Sequence, residues 1–280
     1  MSDPQTLFFL TLDDFLLRNE WAGDVPAISS KKIDPEQDFR ILDLFEDFGV
    51  IATLFMPGTI AELFHDRVRG AADRGFEVAA HGHKHENLTL LKEANRIQLI
   101  TRSVDMLEKC IKKNVLGWRS PGLHIDGSLY RALKDTHVRW CSNVELPASL
   151  RHVPFIFRGK VELPIASIDL KLYERGMSPE KACDKWLASM KKGHAVFTLV
   201  LHPWAQLNNS GRLTCLRQFL DQAVTIDKVK FCSGSEIYDQ FVLQGNSVYG
   251  TVLSSISNLW KRLSRRAQDP ILKAQKLIFA

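Results

Sequence analysis

The sequence is short of several things, and each shortage excludes something. No uninterrupted apolar run of about 18 residues, the length a spanning helix needs, occurs in the 280 residues. The opening stretch, MSDPQTLFFLTLDDF, has no basic segment leading into an apolar one with a cleavage site behind it, so no signal peptide is read. Cysteine is scarce: Cys110, Cys141, Cys183, Cys215 and Cys232 are scattered, odd in number and form no CxxC pair. That argues against a Cys-based zinc site and against a disulfide-linked partner, and it favours reduced thiols in a cytoplasmic compartment. Internal repeats and low-complexity linkers are also missing. Basic charge is absent as a surplus from most of the chain. Between Trp260 and Ala280, six residues (Lys261, Arg262, Arg265, Arg266, Lys273, Lys276) stand against Asp269 alone, which accounts for the whole net charge of +5. Residues 1–259 are neutral on balance, so no nucleic-acid partner is expected of them.

What is present is an alternation of short apolar strands and amphipathic helices. LFFLTL (7–12) has the composition of a buried strand. A helix follows, with Asp34 placed to cap it, Pro35 in the first turn and Gln37 at the capping-box position. Its Ile41, Leu44, Phe45 and Phe48 share one face, and Gly49 stops it. Further strands are expected at 50–55, 76–80, 115–118, 138–140, 161–166, 195–201 and 229–232, with helices over about 59–74 and from Ser178-Pro179 to near Gly193. Seven or eight strands alternating with helices imply an α/β fold with a mainly parallel sheet, and that number suits a barrel.

In such folds the site lies at the carboxyl ends of the strands. Four strands end in ionisable groups: Asp13 and Asp14; His81, His83 and His85 in HGHKH; Arg119 in WRSPGLH; and His202 in LVLHPW. Singly, an aspartate there is more often a helix cap and an HP pair more often a turn. Together they make a coherent chemistry. Two imidazoles and one carboxylate can hold a divalent metal with open positions for water and substrate. His81 and His85 share one ion if the segment turns helically, whereas an extended segment puts all three histidines on one face. The aspartate not used as a ligand can take the proton of a metal-activated water, Arg119 can hold that carboxylate, and His202 can protonate a departing amine. This describes metal-assisted amide hydrolysis.

At these residues the chain resembles the polysaccharide deacetylases, the NodB-homology carbohydrate esterases of family four. The matching motifs are Thr11-Leu12-Asp13-Asp14-Phe15, FEVAAHGHKH, Arg119-Ser120-Pro121 and Leu199-Val200-Leu201-His202-Pro203, with ATLFMPG (52–58) as a further matching strand. The resemblance spans about residues 6–240 and implies a distorted (β/α) barrel of about seven parallel strands. It also implies Asp13 as general base, Asp14, His81 and His85 as metal ligands, Arg119 as the tether of Asp13, and His202 as general acid. Gly122 would supply an oxyanion N–H, and Leu201 and Trp204 would line the acyl pocket. His83 is then left as a bystander beyond the ligands or facing solvent. Zinc is the first expectation for the ion, with cobalt, manganese or nickel as alternatives. The chain departs from the family at Phe15 (usually Gly), at Gly82 (usually Ser or Thr) and at Cys141, which stands where the fourth motif has an aspartate; Asp169 is the candidate substitute. LHPW and the long interval after Asp14 look like a subgroup tied to surface-polysaccharide biosynthesis. The expected substrate is therefore an N-acylated amino sugar, N-acetylated in the family's manner, that is free or lipid-linked. Two other readings stay open: an inactive barrel serving as a binding or assembly module, and a hydrolase of a non-sugar amide such as a ureide.

Residues 1–245 are thus read as the barrel and 246–280 as a basic amphipathic C-terminal helical tail. Ile256, Leu259, Trp260 and Leu263 share a helical face with Lys261, Arg262, Arg265 and Arg266 around it. Such a tail over 255–280 either lies on an anionic membrane at the inner face or packs on the barrel or a second copy.

Overall fold

A computed structural model describes residues 6–16, 35–146 and 151–243, with the side chains of 35–37 left out. The predicted cap at Asp34, the Gln37 side chain and the whole tail from 246 to 280 lie outside the described residues.

The strands are β1 (Thr6–Asp13), β2 (Thr53–Met56), β3 (Glu77–Ala80), β4 (Gly117–Trp118), β5 (Trp140–Cys141), β6 (Phe155–Phe157), β7 (Lys160–Glu162), β8 (Ser167–Ile168), β9 (Val196–Leu201) and β10 (Val229–Phe231). The helices are α1 (Pro35–Asp47), α2 (Gly58–Leu63), α3 (His65–Asp73), α4 (Glu93–Ile111), α5 (Gly127–Ala132), α6 (Asp169–Glu174), α7 (Pro179–Met190), α8 (Pro203–Leu207), α9 (Ser210–Ala223) and α10 (Gly234–Leu243). One sheet runs in the order β6-β7-β5-β4-β3-β2-β1-β9-β8. Every pairing in it is parallel except β6 with β7. One edge of β1 is shared, with β10 pairing Thr6–Phe8 and β2 pairing Thr11–Asp13.

The sheet curls until its flanks meet. Leu163 N donates to Cys141 O and Ile165 N to Val144 O on one flank, both at 2.8 Å, and Ala166 N donates to Thr198 O at 3.0 Å on the other. Counting β7 and β8 as one interrupted strand and leaving out the antiparallel β6 and the half-edge strand β10, seven parallel positions circle the distorted barrel.

Strand alternation divides the side chains into two cores. Phe8, Leu10, Leu12, Leu54, Met56, Val78, Ala80, Trp118, Leu199 and Leu201 face the helices. Phe9, Phe55, Ala79, Trp140, Val161, Leu163 and Val196 belong to the barrel's interior, with Ile237 and Phe241 of α10 packed beneath. The Trp140 indole is the floor of this interior. A Cβ at Gly117 or at Gly234 would come within 2.2 Å of its ring, so both positions must be glycine for it to fit. Beside it, the buried Glu77 carboxylate accepts from Thr53 Oγ1 at 2.6 Å, Gly234 N at 2.8 Å, Ser235 N at 3.2 Å and the Ser235 hydroxyl. Glu77 thereby caps the amino end of α10.

Helix α1 carries its expected face: Ile41, Leu44 and Phe45 are buried, and Phe48 packs against the same core. Gly49, at φ +62°, turns the chain so that Val50 N returns to Phe45 O. Ser178 accepts from Lys181 N and caps α7 as expected. Three expectations change. The helix over 59–74 is two, broken at Phe64. The strand over 161–166 is split into β7 and β8 by the segment that crosses between flanks. A further strand, β6, forms a hairpin with β7 through Arg158 and Gly159, both at positive φ.

Candidate active site and metal centre

Alternation that puts Phe9 and Thr11 inside the barrel also puts Asp13 there, at the carboxyl end of β1. In the same way Ala79 leads to His81, Gly117 to Arg119, and Thr198 and Val200 to His202. The chain then turns sharply at the next donors. Asp14 has φ +60°, Gly82 φ +74° and His85 φ +59°. Aspartate and histidine are among the residues that tolerate this left-handed conformation. The HGHKH segment is therefore neither helical nor extended. Its turns bring His81 Nε2 to 3.6 Å and His85 Nε2 to 3.2 Å from Asp14 Oδ1. One donor atom from each of the three residues lies within 4.8 Å of the others.

These residues fit a divalent ion. His81 Nδ1 lies 2.8 Å from the Arg119 carbonyl oxygen, which can only accept, so the ring proton sits on Nδ1 and Nε2 presents a lone pair. Burial, then the neighbouring His85, pushes the His81 pKa down to about 3, so the imidazole is neutral at ordinary pH. Asp14 Oδ1 is buried and has no hydrogen-bond partner among the described residues. A buried carboxylate oxygen facing imidazole lone pairs is an arrangement that a cation satisfies and that water or protein leaves unpaired.

Asp13 lies beside this cluster. Arg119 Nη1 donates to Asp13 Oδ1 and, at 2.8 Å, to Thr11 Oγ1. The guanidinium is itself fixed: Nε donates to Ser142 O and Nη2 to Ser142 Oγ, both at 2.8 Å, and Cζ stands 4.0 Å from the centre of the Phe55 ring. Asn143 steadies the next residue by accepting from Ser120 N at 2.7 Å, and its own amide donates to the buried Glu162 at 3.0 Å.

At the end of β9, His202 Nδ1 is 2.7 Å from Asp169 Oδ1. Asp169 Oδ2 accepts from His202 N at 2.9 Å and from Gln206 Nε2 at 2.7 Å. Burial alone would depress the His202 imidazole; the Asp169 carboxylate, helped by Asp14 and Asp13, outweighs burial and raises it to about 9.

One cavity of about 550 Å³ opens onto all of this, lined among others by Asp13, Asp14, His81, His85, Gly122, His202 and Trp204. Two expected positions differ. Leu201 faces the helix layer, fully buried, and Val200 lines the cavity in its place. His83 does not face solvent. It is 1% exposed, both ring nitrogens lack a hydrogen-bond partner among the described residues, and a Cβ at Gly58 would lie 3.0 Å from its Nδ1. Cys141 belongs to the helix-facing core. Phe15 is buried there too, its ring 5.7 Å from Phe39. Sequence reasoning missed Ser142 and Asn143, whose only signal was their place just past the end of β5, and Glu162, the last residue of β7.

The polysaccharide deacetylase family model matches residues 3–140. The peptidoglycan deacetylase of Helicobacter pylori is 32% identical over 82 residues, 29% of this chain, and the match spans only 28% of that protein. A Mycobacterium smegmatis structure named as a candidate polysaccharide deacetylase superposes with a TM-score of 0.73 at 23% identity, covering 87% of this chain and 93% of that one. The Puue allantoinase structure gives 0.68 at 16% identity, over 86% and 90%. At these identities the two structures show the shared fold.

Proposed function

We propose, on the premise that the chain belongs through residues 3–140 to the polysaccharide deacetylase family, that it is a metal-dependent hydrolase removing an N-acyl group from an amino sugar in glycan or glycolipid biosynthesis. The observation that carries this reading is the meeting, in one cavity, of the Asp14–His81–His85 cluster with the Asp13–Arg119 pair and the His202–Asp169 pair. Asp14, His81 and His85 would hold the ion, zinc first, which when bound makes water acidic enough to attack at neutral pH and polarises the amide carbonyl. Asp13, held by Arg119, accepts the proton of the attacking water. The Gly122 backbone N–H, at the cavity wall, would donate to the oxygen on which charge develops. His202, kept protonated by Asp169, gives its proton to the departing nitrogen as the C–N bond breaks. The proton acceptor at the end of β1 and the proton donor at the end of β9 both line the cavity that holds the ligand cluster.

Incubating metal-loaded protein with free, nucleotide-linked and lipid-linked N-acetyl sugars, beside a ureide, and scoring released acetate or amine tests the reading. Asp13→Asn should keep its metal and lose roughly 10²–10⁴ in turnover; full activity in that variant overturns the base assignment. We place the protein in the cytoplasm, with its basic amphipathic segment 255–280 against the inner membrane face. Liposome flotation of the full chain beside a version cut after Gly250 checks this, and equal binding sinks it.

A further inference from the structure

The wall of the cavity next to His202 is aliphatic. Leu123 comes from the turn after Arg119, Ile165 from the segment between β7 and β8, Ile168 from β8, Leu170 from the first turn of α6, and Val200 from β9. These five side chains pack on one another as a cluster separate from the barrel floor and from the helix layer: Ile165, Ile168 and Val200 form its buried base, and Leu123 and Leu170 are partly exposed. The backbone places Leu123 there at a cost. It has φ +58°, directly after Gly122 at φ +59°, and a leucine in the left-handed region is strained.

An acetyl group ends in one methyl and needs little of such a wall. Glu145, Lys171 and Glu174 line the same cavity and can pair with the hydroxyls of a sugar ring, whereas an acyl tail has no polar group to lose against the five aliphatic side chains. The strip therefore suits the acyl side of the scissile amide. We propose that the site prefers N-acyl groups longer than acetyl, and that Leu123, Ile165, Ile168, Leu170 and Val200 set the preferred length. This inference rests on the reading of the site as an N-acyl amino-sugar hydrolase. The reaction is unchanged: the water oxygen joins the acyl carbon, the C–N bond breaks, and the amine leaves with the proton from His202.

Metal-loaded full-length protein is assayed on N-acetyl-, N-butyryl- and N-hexanoylglucosamine and their β-1,4-linked disaccharides, following the freed amine. Burying a methylene is worth about 0.8 kcal/mol, so kcat/KM is expected to rise by about fourfold per added methylene from acetyl to butyryl. Leu123→Gly suits the left-handed backbone and so keeps the fold, and it should lower the ratio of butyryl to acetyl kcat/KM; Ile168→Ala should do the same from the other side. Calorimetric titration with acetate, butyrate and hexanoate gives a readout without turnover, with the longer carboxylates binding more tightly to the wild type and that difference shrinking in Leu123→Gly. A preference for acetyl, or a ratio untouched by both substitutions, overturns the inference and leaves the proposed function standing. Cleavage of no compound here, nor of any nucleotide- or lipid-linked N-acyl sugar, overturns the proposed function, and the inference with it.

Discussion

Replacing Asp169 by asparagine removes one charge from the site while keeping the side chain's size. The carboxylate faces four donors: the Leu170 and His202 backbone N–H groups, His202 Nδ1 and the Gln206 amide. An amide can accept on one side only, so Asp169→Asn both uncharges the pair and turns a donor toward a donor. The carboxylate is the chief reason that the His202 pKa stands at about 9 rather than below the ordinary 6.5. A difference of that size corresponds to about 3 kcal/mol of stabilisation of the imidazolium. The general acid must be protonated, so the rate should fall on the alkaline side with a limb near pH 9 in the wild type and below 6.5 in the variant. At pH 8 the protonated fraction, and with it kcat, should drop by about 30-fold. Stability carries the same signature. The folded-state pKa lies above the unfolded value, so the stabilisation is complete below pH 6.5 and is lost as pH climbs through about 9. Urea midpoints measured from pH 6 to pH 10 should slope downward in the wild type and lie flatter in Asp169→Asn. An unchanged alkaline limb in the variant would refute the assignment of His202 as a proton donor tuned by Asp169.

Two other perturbations probe separate parts of the molecule. His85→Ala removes one donor from the buried cluster, and elemental analysis of dialysed protein should show bound metal lowered roughly tenfold or more, with the far-ultraviolet dichroism of the chain preserved. Glu77→Ala leaves Gly234 N, Ser235 N and two hydroxyls without their acceptor, at a cost of about 2–4 kcal/mol in unfolding free energy, read from urea denaturation; metal content of the folded fraction should stay the same, because Glu77 lies at the far end of the barrel.

The sequence made the ligand-bearing ends legible for a simple reason. A strand's period of two, run forward from Phe9, Ala79 or Thr198, arrives at Asp13, His81 or His202 on the interior face, and the strands themselves were marked by apolar runs. The same period, applied strictly to β9, selects Val200 for the cavity and sends Leu201 to the helices; the resemblance to the deacetylases implies Leu201 instead. Asp169 was visible only as a substitute for a missing motif residue, because its partner His202 is 33 positions away and nothing local links them. The hairpin of β6 and β7 had a signal in Gly159, obscured by the arginine before it. The break at Phe64 had none, with neither proline nor glycine nearby. Gly82 gains its reason from the third dimension: a Cβ there would stand 2.7 Å from Pro121 Cγ, so the hydroxyl residue usual at that place has no room.

The floor built by Trp140, Gly117, Gly234 and the capped α10 closes that end of the barrel among the described residues. On the proposed reaction, substrate would enter and both fragments would depart through the opposite end, where the site lies. An acyl fragment bound inward of the amine would wait until the sugar had cleared its path. Release would then be ordered by architecture: sugar first, carboxylate last. The free carboxylic acid should then compete with incoming substrate, whereas the amino sugar should inhibit by occupying the site while the carboxylate is still inside.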